Sequence, residues 1–388
     1  MPDPRALVRR IDAATPPGRD RAVDALRALA ITGVVLGHWL VTALVADGGT
    51  LHAASPLQHL PELAPVSWVF QTLSVFFLVG GYTAARSRDS YPGGHLAWLR
   101  SRLARLFRPV LVVLVLWTAV SAGTMAAGTG PQTVRTLLTL ALSPLWFLLV
   151  FAVLTAATPL VARLHPLWPL AVVLHVDLFR FGFGAPESLG WINIAAGWLV
   201  PYCLGTAWAR GEPGKGVRLA LLVGGTAATA ALVAWAGYPA SMVGVPGEPV
   251  SNLNPPTLAA VTFGLAQCGA ALLLLGPLRR ALARPVAWAA VALLNLCAMT
   301  VFLWHQTALM AVTATGLLIG RLPGLHTVPH DGAWVLARLA WLPVFALALL
   351  VCRSAFLPYE HGRPKGGGRV VRAHCPDRDA AAEVHGSV

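Results

Sequence analysis

His38 stands alone in an apolar run that reaches Val45 from the charged opening Arg19, Asp20, Arg21, Asp24 and Arg27. An imidazole takes up and gives off a proton near neutral pH. An ionisable ring inside an apolar span is costly, which makes it a functional candidate. If hydrocarbon begins near Ala28, His38 lies about 15 Å further along a helix, close to the middle of a bilayer. Arg27 precedes it by 11 residues and Asp24 by 14, so all three fall near one helical face. Asp24 and Arg27, three apart, can pair with each other. Neither reaches the ring, because about 16 Å or more of helical rise intervenes. A neutral histidine can also simply tie two helices together, so spacing alone leaves both roles open.

Three other groups carry chemistry. Arg102, Arg105 and Arg108 recur every third residue, with Leu99, Leu103 and Leu106 on another side. That is a basic stripe on an amphipathic helix. It can hold anionic lipid headgroups at a membrane surface, or clamp a polyphosphate, since a guanidinium meets phosphate with two parallel bonds. A second histidine, His305, follows Phe302-Leu-Trp within a late apolar run. His175 and Asp177, with Arg180 three residues on, form a polar cluster at the end of a middle run. Asp177 and Arg180 can pair, or the cluster can face a hydrophilic acceptor. Asn193, Asn252 and Asn254 suit turns and helix ends. Gly80-Gly81 late in the second apolar run lets helix backbones approach closely.

The elements that must hold these residues are membrane helices. The chain has 388 residues, is 56% hydrophobic and is only 12% charged. Soluble domains are roughly a quarter charged, and the period-2 alternation of a membrane barrel is missing. The fold expected is therefore all-α, a polytopic bundle of about ten spans. They fall near 23–45, 65–85, 107–127, 142–161, 166–183, 192–209, 217–236, 257–275, 287–318 and 333–352, the ninth long enough to tilt or to hold a loop. The first run lacks a small-x-small cleavage site and is expected to remain as span one. Segments rich in Lys and Arg alternate with poor ones along this map, which predicts that both termini are cytoplasmic. A cell-membrane location follows. The division expected is an N-terminal arm over 1–18, a membrane domain over 19–356 and a disordered tail over 357–388. The net charge of +13 sits between spans and is no nucleic-acid footprint. The five cysteines form no CxxC pair and read as packing residues. No phosphate loop, HExxH, GxSxG elbow or metal-spaced Cys/His set is present, so no bound metal or cofactor is expected.

Several motifs then occur in a fixed order. Arg27 is followed after ten residues by His38. Phe76-Phe77-x-x-Gly80-Gly81-Tyr82 lies in the second span and Arg102-x-x-Arg105 before the third. Leu145-Trp146-Phe147-Leu148 opens the fourth, and Phe302-Leu-Trp-His305 comes late. Over roughly residues 19–352 this resembles the acyltransferase-3 family of integral membrane acyltransferases. The resemblance implies about ten helices around a channel. It implies transfer of an acyl group, often acetyl, from the co-substrate acyl-CoA to a hydroxyl of a sugar, an envelope glycan or a small-molecule acceptor. His38 matches the family's essential histidine and Arg27 its paired arginine. Arg102 and Arg105, with Arg108 beside them, match the residues thought to engage the donor. Asp24, Gly80, Gly81, Trp146, His175, Asp177 and His305 are then candidates for the channel or acceptor side. Two departures stand out: Gly80 replaces a frequent serine, and Arg108 stands before Pro109 where an aromatic residue is common. The alternative is a proton-coupled transporter or exporter with His38 and His305 as its relay; it has no need of the arginine stripe.

Overall fold

The protein is described by a computed structural model covering residues 3–360. A short helix α1 (Pro4–Ala13) precedes α2 (Arg21–Val41), which starts where the Asp20 carboxylate accepts the Ala22 amide. The first span was expected to run to residue 45, but α2 ends at Val41. Strands β1 (Ala43–Asp47) and β2 (Thr50–Ala54) follow, paired antiparallel with Asp47 opposite Thr50. The reason is local: Gly48 and Gly49 sit at φ 53° and 78°, the left-handed pair that a two-residue hairpin turn requires. Next come α3 (Val66–Phe70) and α4 (Leu73–Asp89), interrupted at Gln71-Thr72. This break is supported from other helices. The Thr72 hydroxyl donates to the Ala30 carbonyl, and the Gln267 amide donates to the Gln71 carbonyl. Irregular backbone at membrane depth is tolerated when it is satisfied in this way.

The arginine stripe and the third span form one helix, α5 (His95–Ala126), with Pro109 inside it. Its 32 residues extend about 48 Å, well beyond a hydrocarbon core of about 30 Å. Then follow α6 (Pro131–Leu142), α7 (Leu145–Ala156), α8 (Thr158–Val161) and α9 (Leu167–Asp177), the last continuing into a π-helical turn over Leu178–Gly182. The chain continues through α10 (Ile192–Arg210), α11 (Lys215–Trp235) and α12 (Leu258–Ala281). It ends with α13 (Pro285–Leu296), α14 (Ala298–Leu317) and α15 (Gly332–Glu360). The expected tail lies outside the described residues from 361 onward.

Among the described residues, seven helical stretches are long and apolar enough to cross a membrane, or eight if α13 and α14, bent by 67° where they meet, count as one. The ninth span, expected to tilt or to hold a loop, is bent here instead. The expected fifth and sixth spans correspond to α9 with its π turn and to α10. Helix α10 is the central packing element, buried along Trp198, Tyr202 and Thr206. Its crossing with α4 is close at two glycines. A Cβ on Gly81 would strike the Tyr202 carbonyl, and one on Gly205 would strike the Leu78 carbonyl. Gly80 faces the Phe151 ring. The glycine pair therefore serves helix packing.

Hydrogen bonds gather the connecting segments into two groups. In one, the hairpin amide of Ala46 donates to His326, Leu51 to the Thr133 hydroxyl, Gln58 to Pro246 and Trp68 to Ala240, at 2.7–3.1 Å. In the other, Arg279 pairs with Asp20 at 2.7 Å and Glu212 at 3.2 Å, Arg21 donates to Leu282, and Trp288 donates to Thr15. These are called the hairpin end and the arginine end below.

Candidate active site

His38 lies one turn before the end of α2, on the wall of a cavity of about 570 Å³. The cavity is lined by α2, by the β2 and α3 segments, by Trp146 and Phe147 of α7, by Phe302 and Gln306 of α14, and by Trp334, Val335, Arg338 and Leu339 of α15. Residues 53–57 and Val243, Gly244 and Pro246 also line it, so it belongs to the hairpin half of the molecule.

The partner of His38 comes from another helix. Gln306 places its amide 3.1 Å from His38 Nδ1. His305 packs beside it with ring centroids 5.1 Å apart. The His305 Nδ1–H donates to the Phe302 carbonyl at 2.6 Å, which fixes its tautomer; its Nε2 is buried and has no hydrogen-bond partner. His305 is not on the cavity wall. It instead supports the helix that bears His38, since Trp39 donates from its indole to the His305 carbonyl at 2.9 Å.

A second support is Arg338 of α15, 1% exposed. Its guanidinium donates to the carbonyls of Trp39 at 2.7 Å, Gly324 at 2.9 Å and Thr42. Helix ends leave carbonyls without partners and carry partial negative charge. Arg338 satisfies both needs at the end of α2 and so fixes the turn that carries His38. The Trp334 and Phe345 rings cover its charge at 5.4 and 4.9 Å. Sequence reasoning missed both Gln306 and Arg338. The available signal was the same for each, a polar side chain within an apolar run.

On the arginine-end side of His38 lies an aromatic layer. Phe76 and Phe77 of α4, Phe147 and Phe151 of α7, Trp198 of α10 and Phe302 of α14 meet at ring separations of 4.9–6.3 Å. Trp146 joins it at 6.2 Å from Trp198.

The charged residues lie farther along. Asp24 is buried, and its best partner is Arg19, at 2.6 and 3.2 Å; Arg27 is 3.5 Å away. The Asn295 amide also holds the Asp24 backbone carbonyl. Arg27 therefore pairs with Asp24 as its spacing predicted, though weakly. Arg102 donates to the Thr83 carbonyl at 3.0 Å and to the Ser87 hydroxyl, and stacks 5.7 Å from the Trp98 ring. Its Nε is buried without a partner. Arg27 and Arg105 are near enough for their charges to act on it. Arg105 and Arg108 are exposed. Asp24 thus sits at the arginine end, away from the cavity.

His175 and Asp177 separate completely. His175 is exposed, with Nδ1 bonded to the Ala171 carbonyl at 2.7 Å. Asp177 is 1% exposed. It accepts from Asn193 at 2.9 Å, the Tyr238 hydroxyl at 3.0 Å and the Leu258 amide at 2.7 Å, with Arg180 at 3.7 Å. Burial and the nearby Asp177 carboxylate push the Tyr238 phenol well above its ordinary value, keeping it a donor. Neither residue lines the cavity. Asn252 makes a turn, bonding the Pro239 and Ser241 carbonyls and the Thr257 hydroxyl. Among the described residues, no three His, Cys, Asp or Glu side chains group as metal ligands would, and Cys203, Cys268, Cys297 and Cys352 are unpaired.

A multi-pass helical membrane protein with an intramembrane histidine on a cavity wall is thus the class that fold and site define. A family model described as an acyltransferase domain matches residues 20–355, nearly the whole chain, and the protein belongs to this acyltransferase-3 family. No curated protein and no solved structure matches it.

Proposed function

We propose that this protein moves an acyl group, acetyl in the simplest case, from acyl-CoA to a hydroxyl, with His38 as general base. The observation that carries the proposal is the position of His38 on the cavity wall, held by Gln306 at 3.1 Å. A base must have a free lone pair. If the Gln306 amide turns its oxygen toward Nδ1–H at this same distance, Nε2 is left free to take a proton. A positioned general base contributes typically 10²–10⁴-fold. The acceptor hydroxyl in the cavity gives its proton to Nε2 as its oxygen attacks the thioester carbonyl. The carbon–sulfur bond breaks, the thiolate of CoA leaves, and the imidazolium returns the proton to it. The products are an ester and free CoA, with no acyl-enzyme.

The donor reaches His38 from the opposite side. Arg102 and Arg105, with Arg108 nearby and Arg27 only weakly paired to Asp24, offer positive charge to the phosphates of CoA. The acyl end then passes the aromatic layer to the ring. This arrangement suits a chain with both termini cytoplasmic, about ten passages and a place in the cell membrane. Arg19, Arg21 and Arg279 belong to the arginine end, which supports reading it as the cytoplasmic side under positive-inside orientation. A proton relay through His38 and His305 has less support, because His305 is off the cavity wall and spends its N–H on a backbone carbonyl.

The test is free-thiol release from acetyl-CoA by purified protein in lipid nanodiscs. Thiol release above that of empty nanodiscs, lost in His38→Ala while the variant still inserts, is the expected result. Equal release by wild type and His38→Ala overturns the role of the ring, and no release by either overturns the reaction.

A further inference from the structure

The residues lining the cavity say what its occupant is made of. Asp, Glu and Lys are missing from them, and the single charged side chain, Arg338, is committed to three backbone carbonyls. Most of the hydroxyls on the wall are engaged too. Ser67 donates to Ala64 and accepts from Met242, Ser143 donates to Leu140, and Ser55 accepts from Leu57. What remains for a ligand is His38, the Thr42 hydroxyl, the Trp146 indole N–H, the buried Gln71 Oε1 and whichever end of the Gln306 amide is turned away from His38. The rest of the surface is aliphatic or aromatic. A free sugar carries four or five hydroxyls, each both donor and acceptor, and would leave several of these capacities without partners, at roughly 1–3 kcal/mol each. A compound with one hydroxyl and an apolar body loses nothing comparable and gains from burial. The volume, about 570 Å³, falls within the roughly 300–1,000 Å³ typical of sites for drug-sized ligands.

The rim points the same way. Val66 of α3 and Leu339 of α15 both line the cavity and are both about half exposed, at 46% and 45%. Apolar side chains exposed on membrane helices suit contact with acyl chains, so the cavity rim is compatible with a ligand dissolved in the bilayer.

We infer that the acceptor is a neutral, mainly apolar alcohol taken from the bilayer, its single reactive hydroxyl directed at His38. This rests on the acyl-transfer reading above, but the binding part can be measured apart from it. The probe is menthol, a compact alcohol with one hydroxyl, and the polar control is methyl glucoside. The blocking variant is Ala54→Trp, a half-buried rim position on β2 where a large ring can be added without disturbing the core. Full-length protein in nanodiscs is titrated with each compound and its thermal midpoint followed, without acetyl-CoA. The expected result is a saturable stabilisation by menthol, weakened at least tenfold in apparent affinity by Ala54→Trp, and none by methyl glucoside. With labelled acetyl-CoA added, label should appear in menthyl acetate and not in the glucoside. A menthol response identical in Ala54→Trp, or acetylation of the glucoside but not of menthol, overturns the inference. Saturable binding of menthol, blocked by Ala54→Trp but with no acetyl moved, supports the cavity assignment and sinks the reaction instead.

Discussion

Two polar clusters lie within the apolar body of this protein, one around His38 and one around Asp177, and they are built in opposite ways. The Asp177 carboxylate is closed: both oxygens are taken, by Asn193, Tyr238 and the Leu258 amide, with Arg180 alongside. It joins α9, α10, the 237–256 loop and the start of α12. The His38 cluster is open. One ring nitrogen has a partner, two amide oxygens nearby have none, and a cavity adjoins them. A polar group buried with all its capacity used stabilises a fold. One left with capacity to spare beside an empty volume is placed to meet a ligand. Both clusters drew attention in the sequence for the same reason, and each holds buried atoms without partners, Asn193 Oδ1 and Arg180 Nε beside Asp177 among them; what separates the two is the cavity that adjoins only His38.

Substitutions can break this contrast, and the largest effect is expected at the open cluster. His38→Ala should lower kcat for acyl transfer by about 10²–10⁴-fold, with the thermal midpoint in detergent unchanged. A large fall in the midpoint would place His38 with Asp177 among structural residues. Asp177→Ala should do the reverse. Removing the carboxylate leaves Arg180, Asn193 and Tyr238 facing a void, at a cost of about 3–5 kcal/mol, read as a lowered midpoint and poor accumulation. Any correctly folded fraction should keep its kcat.

The donor side sharpens the comparison further. Changing Arg102 and Arg105 together to Ala should raise KM for acetyl-CoA roughly ten- to a hundredfold, as loss of one or two charge-assisted contacts predicts, with kcat little altered. An unchanged KM would assign the stripe to lipid headgroups. Gln306→Leu removes one hydrogen bond to His38, worth about 1 kcal/mol, so kcat should fall roughly fivefold to tenfold without a change in KM. A pure stability loss would make Gln306 a packing residue. The smallest effect belongs to Tyr238→Phe, which should lower stability by about 1 kcal/mol and leave activity alone, checked by thermal unfolding and thiol release in parallel.

The sequence by itself determined the membrane class, the extent of most helices and the arginine stripe. All of these follow from composition, hydrophobic runs and a 1.5 Å helical rise, which are properties of neighbouring residues. It also located His305 and Asp177, though not their roles, and read the glycine pair as a close approach of helices. It misjudged the end of α2, since an apolar run says nothing about where helix yields to hairpin until the Gly48-Gly49 turn is weighed. Tertiary structure alone decided the rest. Gln306 meets His38 across 268 positions of chain, and Arg338 reaches Trp39 across 299. Such pairings come from how helices pack, and no periodicity within a helix encodes its neighbour. The cavity, which makes one histidine reachable and leaves the other as its support, exists only once those helices are together.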